Sequence, residues 1–168
     1  MSTGVNNRDQ AMSLIKMTGI THAPIDVEKV AQRLGFTIIE ADFPDNYSGE
    51  IFIEGNVKSI GINKNHNSSR KRFSIAHELG HYLNAHQNFD DGGEMLDDIN
   101  FDFTNPIHRQ EKEANMFAAE LLMPKDFLIK DLNEFGLDIN KLKEKYDVSE
   151  QSMWIRLTSL RLAEKYSK

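Results

Sequence analysis

The chain has 168 residues, enough for one domain with a proper core, and its 39% hydrophobic and 27% charged content is ordinary for a globular protein. A formal net charge of −6 argues against a nonspecific nucleic-acid binder, and the lack of cysteine excludes a disulfide framework and leaves any metal to histidine and carboxylate ligands. Neither an apolar signal-peptide core within the first eight residues nor an apolar run of bilayer length is visible, so a soluble cytoplasmic protein without a membrane partner is expected.

In chain order, a first helix is expected from about Arg8 to Met17, closed by Gly19. A second fits Val27 to Leu34, with Asp26 as N-cap and Gly35 just past its end. Phe36 to Glu40 is rich in β-branched and aromatic residues and reads as a strand. Glu50 to Glu54 and Lys58 to Ile62 flank Gly55-Asn56, a hairpin turn signal. The next helix is expected to start at Ser68 or Ser69 as cap and to run to about Ala85, with Phe73, Ala76, Gly80 and Leu83 on one stripe. Residues 87–107 carry six acidic side chains and no lysine or arginine, which predicts a flexible, solvated acidic loop; the spacing does not match an EF-hand. Helices then fit Arg109 to Leu122, stopped at Pro124, and Lys125 to Phe135, followed by Gly136. The tail from Asn140 to Tyr166 reads as two helices broken at Asp147-Val148-Ser149. The expected class is α+β: a small, largely antiparallel sheet packed against helices, with a core over residues 1–125 and a helical C-terminal segment over 126–168 packed on it.

The chemistry lies in the helix after the hairpin. His77 and His81 are four residues apart, one turn along one helix face, where two imidazoles can converge on one metal ion. Glu78 follows His77 and can take a proton from a water activated by that metal, the logic of the H-E-x-x-H signature of zinc peptidases. Zn²⁺, one per chain, is the expected cofactor; Mn²⁺ and Fe²⁺ also accept two imidazoles and a carboxylate. A catalytic zinc needs a third protein ligand. A metzincin would supply it six residues after His81, but that position is Gln87, and His86 is rotated away from the pair. The better source is the helix from Arg109 to Leu122, whose apolar stripe is Ala114, Phe117, Ala118, Leu121 and Leu122. Glu111 lies within the arc of that stripe, where a carboxylate is costly unless paired or metal-bound. Glu111 is therefore the preferred ligand and Glu113 the alternative. Asn115, one turn after Glu111, is placed to hydrogen-bond a ligating histidine. Tyr47, Tyr82 and His108 are candidates for stabilising an oxyanion.

Arg72–His86 (RFSIAHELGHYLNAH), followed by Glu111–Pro124 (EKEANMFAAELLMP), resembles the ImmA/IrrE family of zinc metallopeptidases. Ala23–Gly35, Ile60–Asn63 and Tyr146–Leu157 extend the resemblance over about residues 10–160. It implies a zincin-like, gluzincin-type fold in which both histidines come from one helix and the glutamate from the next, with a polar orienting residue four positions on; Glu111 and Asn115 match that pattern. It also implies a partner, a helix-turn-helix transcriptional repressor that the peptidase cleaves. No fused sensor domain is expected after the tail.

Two rival readings come from other classes. One is a regulatory or toxin–antitoxin component that binds its partner without cutting it, its zinc being structural; the intact Glu78 counts against it. The other is a DNA-binding tail, since Val148–Leu157 resembles the second half of a helix-turn-helix, with Arg156, Arg161 and Lys165 as phosphate contacts. Met153, Leu157 and Leu160 read instead as a packed face, and Glu150 and Glu164 oppose nucleic acid, so direct nucleic-acid binding is not expected.

Overall fold

The computed structural model describes residues 6–85 and 106–167. In chain order the elements are α1 (Asn7–Thr18), α2 (Val27–Arg33), β1 (Phe36–Ala41), β2 (Gly49–Glu54), β3 (Val57–Asn63), α3 (Ser68–Leu83), α4 (Pro106–Leu122), α5 (Lys125–Phe135), α6 (Ile139–Tyr146), α7 (Glu150–Ser159) and α8 (Leu162–Tyr166). The fold is α+β, and none of the described helices is long and apolar enough to cross a membrane. The acidic segment expected as a loop over 87–107 lies outside the described residues as far as residue 105, and so does His86. Its last two positions belong to α4, where Pro106 can open the helix because the missing amide hydrogen is not needed there.

Two compact units make up the chain, Val27–Ala118 and Met1–Asp26 with Ala119–Lys168. In the first, a three-stranded sheet has the order β1-β3-β2. The β2–β3 hairpin is antiparallel, its two-residue turn closed by Gly55 at φ +59°, which lets the strands reverse without strain. β1 joins the other side of β3 in parallel, so Ile38, Ile60 and Ile51 stand in one row across the sheet. β3 is the inner strand and is buried from Ser59 onward, whereas Phe52 and Ile53 on β2 are half exposed. Helices α2 and α3 pack on this sheet, and Val30, Phe36, Ile60, Ile62, Ile75 and Leu79 fill the core of the unit.

Two local expectations for α3 change. Its cap is Asn67, one residue before the serines: Asn67 Oδ1 accepts from the Arg70 amide at 2.9 Å, and the Ser69 hydroxyl donates to the same oxygen. Nor does α3 bury a single stripe. Every residue from Ser74 to His81 is buried, while Phe73 and Leu83 are only half covered, because the helix has neighbours on more than one side.

In the second unit, Gly19 closes α1 in the left-handed conformation, accepting the turn that any Cβ would strain. Asp131 of α5 is buried and accepts from the Tyr146 hydroxyl at 2.8 Å and from Lys145 at 2.6 Å, tying α5 to α6. The tail is three helices, not two. α6 ends with Asp147 at φ +48°, and a second left-handed residue, Arg161 at φ +56°, separates α7 from α8. Leucine 160 and Arg161 carry no proline or glycine signal, so the sequence pattern runs through the break unmarked.

Candidate metal centre

The site is built by α3 and the first half of α4, both within the Val27–Ala118 unit. Their approach depends on Gly80. A Cβ placed there would stand 2.9 Å from both the Cα and the carbonyl oxygen of Ala114, closer than real Cβ contacts come, so only glycine permits this helix spacing. Ala114 and Phe117 face Gly80, and the turn of α4 before Ala114 carries Glu111 to the histidine face.

His77 Nε2 and His81 Nε2 are 3.0 Å apart, and the Glu111 carboxylate stands 3.1 Å from the first and 3.0 Å from the second. All three residues are buried, at 5%, 8% and 7% exposure. Among the described residues they form the one group of three histidine or acidic side chains with converging ligand atoms. Ligands about 2.0–2.1 Å from a tetrahedral ion stand roughly 3.3 Å from one another. The three donor atoms would therefore need to open by only tenths of an ångström to hold a divalent cation. Such a cation also resolves a conflict, since two imidazole nitrogens and a carboxylate point lone pairs at one buried spot.

The remaining nitrogen of His77 fixes its orientation. Nδ1 donates to Asn115 Oδ1 at 2.8 Å, which leaves the Nε2 lone pair facing the group. The ring of Phe73, read from the sequence as a core residue, is stacked on His77 with centroids 6.1 Å apart. The i, i+4 spacing was the available signal for this contact. Glu113, the alternative ligand, is not brought to the site: its side chain is 43% exposed and faces Arg109 at 3.8 Å. It points off the apolar arc that holds Glu111.

Electrostatics sort the acids into two roles. Burial would raise the Glu111 carboxyl, but hydrogen bonds from His77 and His81 and their charges overcome it and hold the group at about 2. Burial pushes Glu78 up from its ordinary value, against the pull of His77 and His81, with the charges of Glu111 and Glu50 acting in the same direction as burial. For His77 burial acts downward, yet the Glu111 hydrogen bond and the charges of Glu78 and Glu111 raise it overall. Glu111 is thus kept ionised as a ligand must be, while Glu78 is a buried acid whose proton affinity is enhanced.

Of the three oxyanion candidates, Tyr82 is turned to other work. Its hydroxyl accepts from Lys58 at 3.2 Å and its ring meets Phe36 edge-on at 4.9 Å, within the packing of β1 and β3. Tyr47 donates to Glu50 Oε2 at 2.7 Å, and His108 lies half buried in the first turn of α4. In the other unit, Arg156 is buried, with a two-pronged pair to Glu120 at 3.0 and 2.6 Å and a bond to the Met123 carbonyl, so it is not presented to a phosphate.

The family model for the IrrE N-terminal-like domain, Peptidase M78, matches residues 31–158, which include every residue of this site. The chain belongs to the Peptidase M78 family. No curated protein matches it. Among solved structures this family member is similar to a Mycobacterium tuberculosis transcriptional regulator, with 18% identity and a TM-score of 0.66 over 90% of this chain and 46% of that one. At that identity the likeness shows the fold alone, and the chain spans less than half of the regulator's length. The α+β zincin-like class of the M78 family accounts for the arrangement described above, with the two-histidine helix and the glutamate helix side by side.

Proposed function

We propose that this M78 protein is a zinc-dependent endopeptidase that hydrolyses a peptide bond in a protein substrate, a helix-turn-helix transcriptional repressor being the partner. The observation that carries the reading is the buried convergence of His77, His81 and Glu111 beside Glu78, an acid that a purely structural metal site does not use. His77, His81 and Glu111 would hold the ion, and zinc bound there supplies Lewis acidity to water and to the substrate carbonyl. Asn115 keeps the His77 ring oriented. Glu78 accepts the proton of the attacking water and delivers it to the amide nitrogen as the C–N bond breaks. The edge of β2, unpaired among the described residues, offers backbone groups on which an extended substrate can add as a strand. The partner assignment rests on the resemblance to the ImmA/IrrE family, and the similarity of fold to a transcriptional regulator is in keeping with it.

The test incubates the protein with a candidate helix-turn-helix repressor, with added zinc and with a chelator. Wild type with zinc is expected to cut the repressor and to stop on chelation. Glu78→Gln should still bind one zinc ion and lose cleavage by at least about a hundredfold. Equal cleavage by Glu78→Gln would refute the mechanism. A repressor bound tightly but left intact by wild type would favour the non-proteolytic regulator.

A further inference from the structure

The face of α3 that carries the metal ligands continues beyond them. At about 100° per residue, Arg70 falls between His77 and His81 when the helix is viewed end-on, about two turns nearer its start, with Ser74 beside it. The Ser74 hydroxyl donates to the Arg70 carbonyl at 2.9 Å. The chain entering β2 runs along this same face. A Cβ on Gly49, the first residue of β2, would touch Ser74 Cβ at 3.7 Å. Ser48, just before it, accepts from Arg70 Nη2 through Oγ at 3.3 Å. Arg70 thus stands where the start of β2 meets the ligand helix, in line with the two histidines.

The charge of Arg70 is not matched there. A guanidinium carries five N–H donors in a rigid plane. Its one bond here is a long one to the neutral, buried Ser48. Nε is buried and has no acceptor. Among the described residues no carboxylate pairs with Arg70, although the adjacent Lys71 has Glu40 at 2.9 Å. The contrast with Arg156, buried and held by two bonds to Glu120, is one of pairing: Arg156 is a completed structural pair, and Arg70 is not. Arg70 is only half-buried, so a group arriving from solvent can reach its head. A carboxylate suits it best, since it can take two parallel N–H bonds and supply the missing charge.

Position along the helix says where that carboxylate comes from. Seven residues of helix span about 10 Å, and an extended peptide advances about 3.3 Å per residue. A substrate strand laid along the free edge of β2, with its scissile bond at the metal group, passes Arg70 about three residues away.

We infer that Arg70 is a specificity-determining residue that receives an aspartate or glutamate side chain of the substrate, about three residues from the scissile bond. This rests on the peptidase reading and names a feature of its substrate.

Two measurements separate the inference from that reading. In the first, the zinc-loaded full chain digests a proteome-derived peptide library and the cut sites are mapped by mass spectrometry. Aspartate and glutamate should be enriched at one position about two to four residues from the cut. Their preference over asparagine and glutamine should fall roughly tenfold in Arg70→Gln. Arg70→Glu should reverse the preference toward lysine and arginine at that position, a change that loss of a merely structural contact to Ser48 would not produce. A flat profile in wild type, or an acidic preference that survives in both variants, overturns the inference while leaving the peptidase reading intact. In the second, fluorescein-labelled decapeptide pools with amidated C-termini, built from neutral residues around one glutamate or one glutamine, are titrated with zinc-loaded Glu78→Gln by anisotropy. The glutamate pool should bind about tenfold tighter, and the gap should close when Arg70→Gln is added. A gap that persists in that double variant assigns the carboxylate to the zinc and overturns the inference. Equal binding of the two pools, or binding of neither, overturns it whether or not cleavage is ever seen.

Discussion

At the residue scale, the roles divide according to which atoms each side chain has left to offer. His77 spends Nδ1 on Asn115 and keeps Nε2 for the metal group, so Asn115 acts on the metal through the imidazole. Asn115→Ala is expected to lower zinc affinity by about 10- to 100-fold in a competitive chelator titration, with the fold retained by circular dichroism. Glu111→Gln should lose most zinc binding, whereas Glu113→Gln should bind as wild type does; the reverse pattern would displace Glu111 from the site. The sequence made much of this legible. His77, Glu78 and His81 are marked by spacing alone, and Glu111 by a carboxylate set on an apolar arc.

At the element scale, one glycine governs how closely α3 and α4 approach. Helix propensity alone would make Gly80→Ala stabilising by about 1 kcal/mol. The added methyl, however, meets the Ala114 backbone at 2.9 Å, and backbone cannot swing aside as a side chain can. The substitution is therefore expected to destabilise by about 1–3 kcal/mol in urea denaturation and to weaken zinc binding by moving Glu111 away from the histidines. The α5–α6 contact gives a pH signature. Burial, reinforced by the hydrogen bond to Asp131 and its charge, pushes the Tyr146 phenol far above its ordinary 10.0. Below that pH the phenol is protonated in folded and unfolded chains alike, and its contribution is fully present. Above it the unfolded chain ionises first, so stability should fall as pH rises beyond about 10. Tyr146→Phe should lack this part of the alkaline decline and cost about 1–3 kcal/mol at neutral pH by depriving buried Asp131 of a donor. Urea midpoints measured from neutral to alkaline pH for both proteins check the sign. Helix ends, by contrast, were less legible: Asn67 and Ser68 are equally good caps on paper, and the break at Arg161 has no glycine or proline to announce it.

At the scale of the whole molecule, a ligand set drawn from α3 and α4 couples metal binding to folding, because the unfolded chain does not hold Glu111 beside His77 and His81. Free zinc at a thousandfold excess over its Kd should add about 4 kcal/mol, a rise on the order of 10 °C in Tm for a chain of this length. Glu111→Gln should lose most of that rise. A Tm that ignores both zinc and chelator would mean that the three side chains do not act together as a ligand set. The family assignment belongs at this scale as well, since the matched region, residues 31–158, extends over strands and helices that carry none of the three ligands.

What the sequence determined by itself was local: the two imidazoles on one face, the base between them, the hairpin turn at Gly55-Asn56, and the acid set into an apolar arc. Each follows from helix or strand periodicity over a few residues, which the order of amino acids encodes directly. Only the tertiary structure decided that Glu111 rather than Glu113 meets the histidines and that β1 runs parallel to β3. Those outcomes depend on distances between segments far apart in the chain, set by close packing such as that of Gly80 against Ala114, and no short-range pattern carries them.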